Sequence, residues 1–137
     1  MYQHILVPLE NSPTDQVILD HIRDLARWAK SQVTLLHVAD GLMARNQERF
    51  GESEEMREDL EYLEKRKAEL AAEGFQVRAI LECGDPAKLI ISTADSEKCD
   101  LIAMSTHGHR FLGDLVLGSV ASEVRHISKI PVLLLRA

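Results

Sequence analysis

The chain has 137 residues, of which 45% are apolar and 28% charged, and it carries a net charge of −6. That length suits one domain with one core, and the composition does not suit a disordered chain. The negative charge argues against a nucleic-acid binder held by phosphate contacts, two cysteines are too few for a disulfide framework or zinc site, and no run approaches the roughly 18 apolar residues of a membrane span.

His4 to Leu9 is a short apolar run that predicts a strand buried on both faces, with Pro8 near its C-terminal end. The sequence enters this run at once, with no basic segment and cleavage site before it. Ser12 is a good helix N-cap, Pro13 suits the first helical position, and Asp15 completes a variant capping box. The helix is expected to reach about Lys30, burying Ile18, Ile22, Leu25 and Ala29. Val33 to Val38 is a second buried strand, in which His37 reads as a satisfied core histidine. Asp40 to Glu52 is polar and irregular and is expected to be a mobile loop.

Ser53 then caps a long helix to about Ala72, with Met56, Leu60, Leu63 and Leu70 on its apolar face and Gly74 as its stop. Phe75 to Leu81 alternates apolar and polar residues, as a half-exposed strand at a sheet edge does. Asp85 as N-cap and Pro86 at the first position start a third helix, which ends before Cys99. Nothing near Cys83 or Cys99 would lower a thiol pKa, so both read as plain thiols suited to a reducing cytoplasm. A short apolar strand run over Leu101 to Met104, a polar loop with three glycines, Gly108, Gly113 and Gly118, and then an apolar-periodic helix that Pro131 closes follow, and Pro131 to Leu135 is a terminal strand. Strands and helices alternate throughout, which predicts a parallel five-stranded sheet with helices on both faces.

The strand–glycine loop–helix near the C-terminus is a natural cradle for phosphate. Glycines let backbone approach a ligand, and the first N–H groups of a helix have no partner within it. The common phosphate motifs are absent: there is neither GxxxxGK[ST] nor a GxGxxG after the first strand. His107-Gly108 is followed nine residues later by Gly118-Ser119. This spacing resembles the universal stress protein family, whose nucleotide-binding branch carries G-x2-G-x9-G-[ST] here, with Ser105 in place of the first glycine. ILVPLENS, LLHV, CGDPAKLI, LIAMSTHG, VLGSVASEV and PVLLLR extend the resemblance over nearly the whole chain.

The resemblance implies one universal stress protein domain over residues 1–137. Its fold would be α/β, Rossmann-like of the adenine nucleotide alpha-hydrolase-like type, with a parallel sheet in the order 3-2-1-4-5. It implies a cytoplasmic ATP- or AMP-binding protein, with Mg2+ or Mn2+ carried on the phosphates. Adenine and ribose would lie near Pro8, Leu9, Glu10 and Val38; Met104, Ser105, His107 and Gly108 would line the crevice; and Gly118, Ser119 and Val120 would hold the phosphates. Glu10 stands where the family has aspartate. No general base or Walker lysine is placed for turnover, so at most a weak ATPase is expected, with no catalytic residue and no protein-held metal. A homodimer through Pro131–Leu135 is expected, since an apolar edge strand invites pairing, and a downstream protein would read the nucleotide state. The alternatives are a nucleotide-free dimeric scaffold, a slow ATP hydrolase, and a binder of another adenylate such as cAMP.

Overall fold

The computed structural model describes residues 1–40, 54–106 and 114–137. The chain runs β1 (His4–Pro8), α1 (Asp15–Ala29), β2 (Gln32–Asp40), α2 (Glu54–Ala72), β3 (Val77–Gly84), α3 (Pro86–Ser96), β4 (Leu101–Thr106), α4 (Asp114–Ile127) and β5 (Val132–Arg136). The strands form one sheet in the order β3-β2-β1-β4-β5. Every pair is parallel; Ile5 aligns with Val33 on one side and with Leu101 on the other. The expected α/β fold and strand order are both present.

Parallel strands covered on both faces need apolar residues at successive positions, and alternate side chains then serve opposite layers. Ile5 and Val7 of β1, Val33 and Leu35 of β2, and Leu101 and Ala103 of β4 pack under α1 and α2. Leu6, Leu36, Ile102 and Met104 pack under α3 and α4 with Ala87, Ile90, Val120 and Val124. β1 sits between β2 and β4, so the strand order reverses beside it. The carboxyl end of β1 is therefore the place where such a sheet opens a crevice. At the opposite end, the backbone N–H groups of Gln3 and His4 donate to the Asp100 carboxylate at 2.9 and 3.0 Å, and the Asp100 N–H returns a bond to the His4 carbonyl.

The helix boundaries correct several expectations. Helix α1 begins at Asp15 with Thr14 as its N-cap, so Pro13 stands before the helix and Ser12 does not cap it. The Ser12 and Pro13 carbonyls instead accept from Asp15 and Gln16 in a tight turn. Half of the capping box survives: the Asp15 carboxylate reaches back to the Ser12 N–H at 3.3 Å. The buried face of α1 is Asp15, Ile18, Leu19, Ile22 and Ala26; Leu25 and Ala29 lie at its half-buried margin. On α2 the stripe includes Leu63 and Leu70 as expected, but Leu60 is 45% exposed and its neighbour Asp59 is buried. β3 runs Val77–Gly84 rather than Phe75–Leu81 and is an edge strand, as its alternation suggests.

Gly118, expected in the loop ahead of the last helix, lies inside α4 (Asp114–Ile127). Strand ends shift by one or two residues: β1 stops at Pro8 rather than Leu9, β2 runs Gln32–Asp40 rather than Val33–Val38, β4 runs on to Thr106 rather than Met104, and β5 runs Val132–Arg136 rather than Pro131–Leu135. The signals at the end of α2 and the start of α3 hold. Gly74, at φ +95°, ends the turn after α2. Asp85 caps α3, accepting from the Lys88 N–H at 3.2 Å, with Pro86 in the first turn. The loop expected over Asp40–Glu52 and the Ser53 cap fall almost wholly outside the described residues.

Candidate functional site

At the carboxyl ends of β1 and β4 the chain encloses a crevice of about 500 Å³. The Leu9 N–H still bonds the Leu36 carbonyl at 2.7 Å, so the ladder holds the chain to the crevice edge. There the backbone turns sharply, with Asn11 at φ +65°, a left-handed conformation that asparagine tolerates. Asp15 fixes that turn. Its carboxylate accepts from the N–H groups of Glu10 at 3.0 Å and Asn11 at 2.9 Å, and from the Tyr62 hydroxyl at 2.5 Å. The side chain has no exposed surface. The Ser12 hydroxyl donates to Glu10 Oε2 at 3.0 Å, so the Thr14 hydroxyl, 2.7 Å away, supplies the proton of the Ser12–Thr14 bond.

The structure brings together Pro8, Leu9, Glu10, Val38, Met104, Ser105, Ser119 and Val120, all expected from the sequence, as lining of this crevice. Gly118 precedes Ser119 on α4, exposed, with nothing among the described residues within 4 Å of where a side chain would start, but it is not among the residues that line the crevice. His107 and Gly108 lie outside the described residues, as do His109 and Arg110. Lining residues that sequence reasoning missed as site residues are Leu36, His37, Asp85, Pro86, Ile90 and Glu123. A signal existed for some of them. Glu123 stands one helical turn after Ser119 and Ile90 one turn after Pro86, a spacing that puts side chains on one helix face. Asp85 was legible only as a cap.

The crevice has an apolar body, supplied by Leu36, Val38, Ile90, Met104 and Val120, with polar groups at its margins. That combination suits a flat heteroaromatic ring with a polar extension. Ser105 lines the crevice and is buried at 3% exposure. Among the described lining residues the ionisable groups are Glu10, His37, Asp85 and Glu123. His37 is satisfied within the protein: Nδ1 lies 2.8 Å from the Leu9 carbonyl and Nε2 lies 3.1 Å from Asp59 Oδ2. Away from the crevice, burial pushes the Cys99 thiol up to about 12, and the nearby Glu97 and Asp100 carboxylates add to the effect.

Comparison with known proteins agrees with this fold. The chain matches the universal stress protein family over residues 1–136. It is 30% identical to universal stress protein MJ0577 of Methanocaldococcus jannaschii, over 99% of this chain and 96% of that one. The solved structure of MJ0577 superposes with a TM-score of 0.81 at 33% identity, covering 100% of this chain and 97% of the other. A universal stress protein in complex with cAMP has a TM-score of 0.72 at 20% identity, over 98% of this chain and 97% of that one. One from Archaeoglobus fulgidus in complex with dAMP has a TM-score of 0.71 at 22% identity, over 97% of each chain. From its first strand to its last, this chain belongs to the universal stress protein family.

Proposed function

We propose that the crevice binds an adenine nucleotide, ATP or AMP, and that its occupancy is the switch of a dimeric stress-response protein. The observation that carries this is the convergence of Pro8, Leu9, Glu10, Val38, Met104, Ser105, Ser119 and Val120 on one apolar crevice beside the α4 backbone. The residues fit such a ligand. The apolar body accepts a purine, Glu10 offers a carboxylate to ribose hydroxyls, and the Ser119 hydroxyl and the Gly118 backbone, which no described residue approaches within 4 Å of a side-chain position, suit an approaching phosphate. The cAMP and dAMP complexes of proteins with the same fold support the adenylate class. A bound divalent cation, Mg2+ or Mn2+, would arrive on the phosphates and neutralise their charge. β5 is a sheet edge and Leu134 is 37% exposed on it, which supports pairing of two chains through Pro131–Leu135.

One observation favours a second reading, the nucleotide-free scaffold: the charged side chains of the described lining, His37 apart, are the carboxylates of Glu10, Asp85 and Glu123. Isothermal calorimetry with AMP and ATP, with and without Mg2+, separates the two. Saturable heat at micromolar ligand is the expected result. No heat from either nucleotide, with the dimer intact by light scattering, would leave the scaffold.

A further inference from the structure

Helix α2 touches the margin of the crevice through polar groups that its apolar stripe does not require. Asp59 is the centre of one such contact. Its Oδ1 accepts from the Asn11 side-chain amide at 3.0 Å, and its Oδ2 faces His37 Nε2 at 3.1 Å. Both the Asp59 and His37 side chains are only 11% exposed. The hydrogen count on the imidazole follows from its neighbours. The Leu9 carbonyl can only accept, so Nδ1 carries a hydrogen. Nε2 faces a carboxylate, and two lone pairs at that distance would repel, so a second proton lies between ring and acid. Asp59 also accepts the Asn11 amide through Oδ1, a bond suited to an ionised carboxylate, which puts that proton on the ring.

We infer that His37 and Asp59 are positioning residues for the proposed nucleotide site: an imidazolium–carboxylate pair through which α2 sets the place of the Leu9–Asn11 margin. His37 grips the Leu9 carbonyl and Asp59 grips Asn11, so the margin is held at both of its ends by groups that also hold each other. Removing one member of a buried charged pair costs far more than the pair contributes, because the other is stranded. The link to nucleotide affinity rests on the adenylate reading; the protonation state and the hold on the margin do not.

The test uses the full chain in wild-type, Asp59→Ala and Asp59→Asn forms. In the wild type, nitrogen-15 spectra of the imidazole should show both His37 nitrogens protonated. Asparagine can donate its amide N–H to Nε2 and accept from Asn11, so in Asp59→Asn the second ring proton should vanish while the bonds persist. Exchange of the Glu10, Asn11 and Ser12 amides should stay near wild type in that variant, and AMP affinity within about threefold. In Asp59→Ala the same amides should exchange roughly tenfold faster, and AMP should bind at least about fivefold more weakly. A wild-type Nε2 signal in the unprotonated range, or unchanged amide exchange in Asp59→Ala, would overturn the inference. If Asp59→Ala does not fold, the Asp59→Asn spectrum decides alone: a ring that keeps both protons without the carboxylate refutes the pair. Absence of AMP binding by the wild type would remove the nucleotide reading and leave the spectra and exchange to decide the pair.

Discussion

Replacing Asp15 by alanine tests how the crevice margin is built. The side chain has no exposed surface and accepts four hydrogen bonds: from the N–H groups of Glu10, Asn11 and Ser12 and from the Tyr62 hydroxyl. Burial, and then the Asp15 carboxylate, push the Tyr62 phenol well above its ordinary value, so Tyr62 is a donor across the working pH range. A buried donor stripped of its acceptor costs about 1–3 kcal/mol. The margin amides can recover water once the carboxylate is gone, so they belong at the low end of that range, and loss of a buried charge returns some desolvation energy. The net destabilisation should be about 3–5 kcal/mol, or a fall in Tm of roughly 10–20 °C for a domain of this size. Asp15→Asn retains one acceptor oxygen and should cost about 1–2 kcal/mol. Tyr62→Phe should cost about 1 kcal/mol in the wild type and nearly nothing beside Asp15→Ala, since the bond it removes is already lost. Urea unfolding of the wild type, the three single variants and the Asp15→Ala/Tyr62→Phe double variant, followed by circular dichroism, measures all of this. An Asp15→Ala protein within about 1 kcal/mol of wild type would refute the reasoning, because a carboxylate serving four donors at zero exposure cannot be dispensable.

Gly118→Ala should stabilise α4 by about 0.5–1 kcal/mol, since among the described residues a methyl there meets nothing within 4 Å, and should weaken AMP binding if phosphate approaches that backbone. Thermal melts and calorimetry on one sample read both, and a rise in stability with unchanged affinity would place the phosphate elsewhere. Iodoacetamide at mildly alkaline pH should label exposed Cys83 in the native protein and reach Cys99, held as a thiol up to about 12, only after unfolding; intact mass spectrometry counts the adducts. At Asp100, burial favours the neutral acid, but the His4 and Gln3 N–H groups outweigh it and hold the carboxyl below its ordinary 3.8. A depressed carboxyl stabilises fully above the unfolded value and loses that contribution as pH falls through the folded value. The stability gap between wild type and Asp100→Asn should therefore be about 1–2 kcal/mol at neutral pH and close in acid below the ordinary aspartate range, as Tm measured against pH will show.

The strands were legible because a doubly covered parallel sheet writes itself as apolar runs, and the ends of α2 and α3 because Gly74 and Asp85-Pro86 act locally. Most of the crevice was readable through family-like residues at the strand ends. Long-range polar pairing was not. A helix stripe drawn from hydrophobicity selects Leu60, whereas the structure turns Asp59 inward because β2 presents His37 to it. Asp15 reads as a capping residue, yet its strongest partners lie in the preceding turn and 47 residues away at Tyr62. Glu123 carries no apolar signal, and its place on the crevice wall depends on how α4 sits over β4.

Because all five strands point the same way, the two chain ends leave the sheet at opposite poles. Met1 precedes β1 near the Asp100 anchor, while the Ala137 N–H is bonded to the Thr106 carbonyl beside the mouth of β4. A purification handle or fluorophore fused before Met1 would stand clear of both the crevice and the β5 edge. The same fusion after Ala137 would crowd the two regions whose behaviour the experiments above are meant to report.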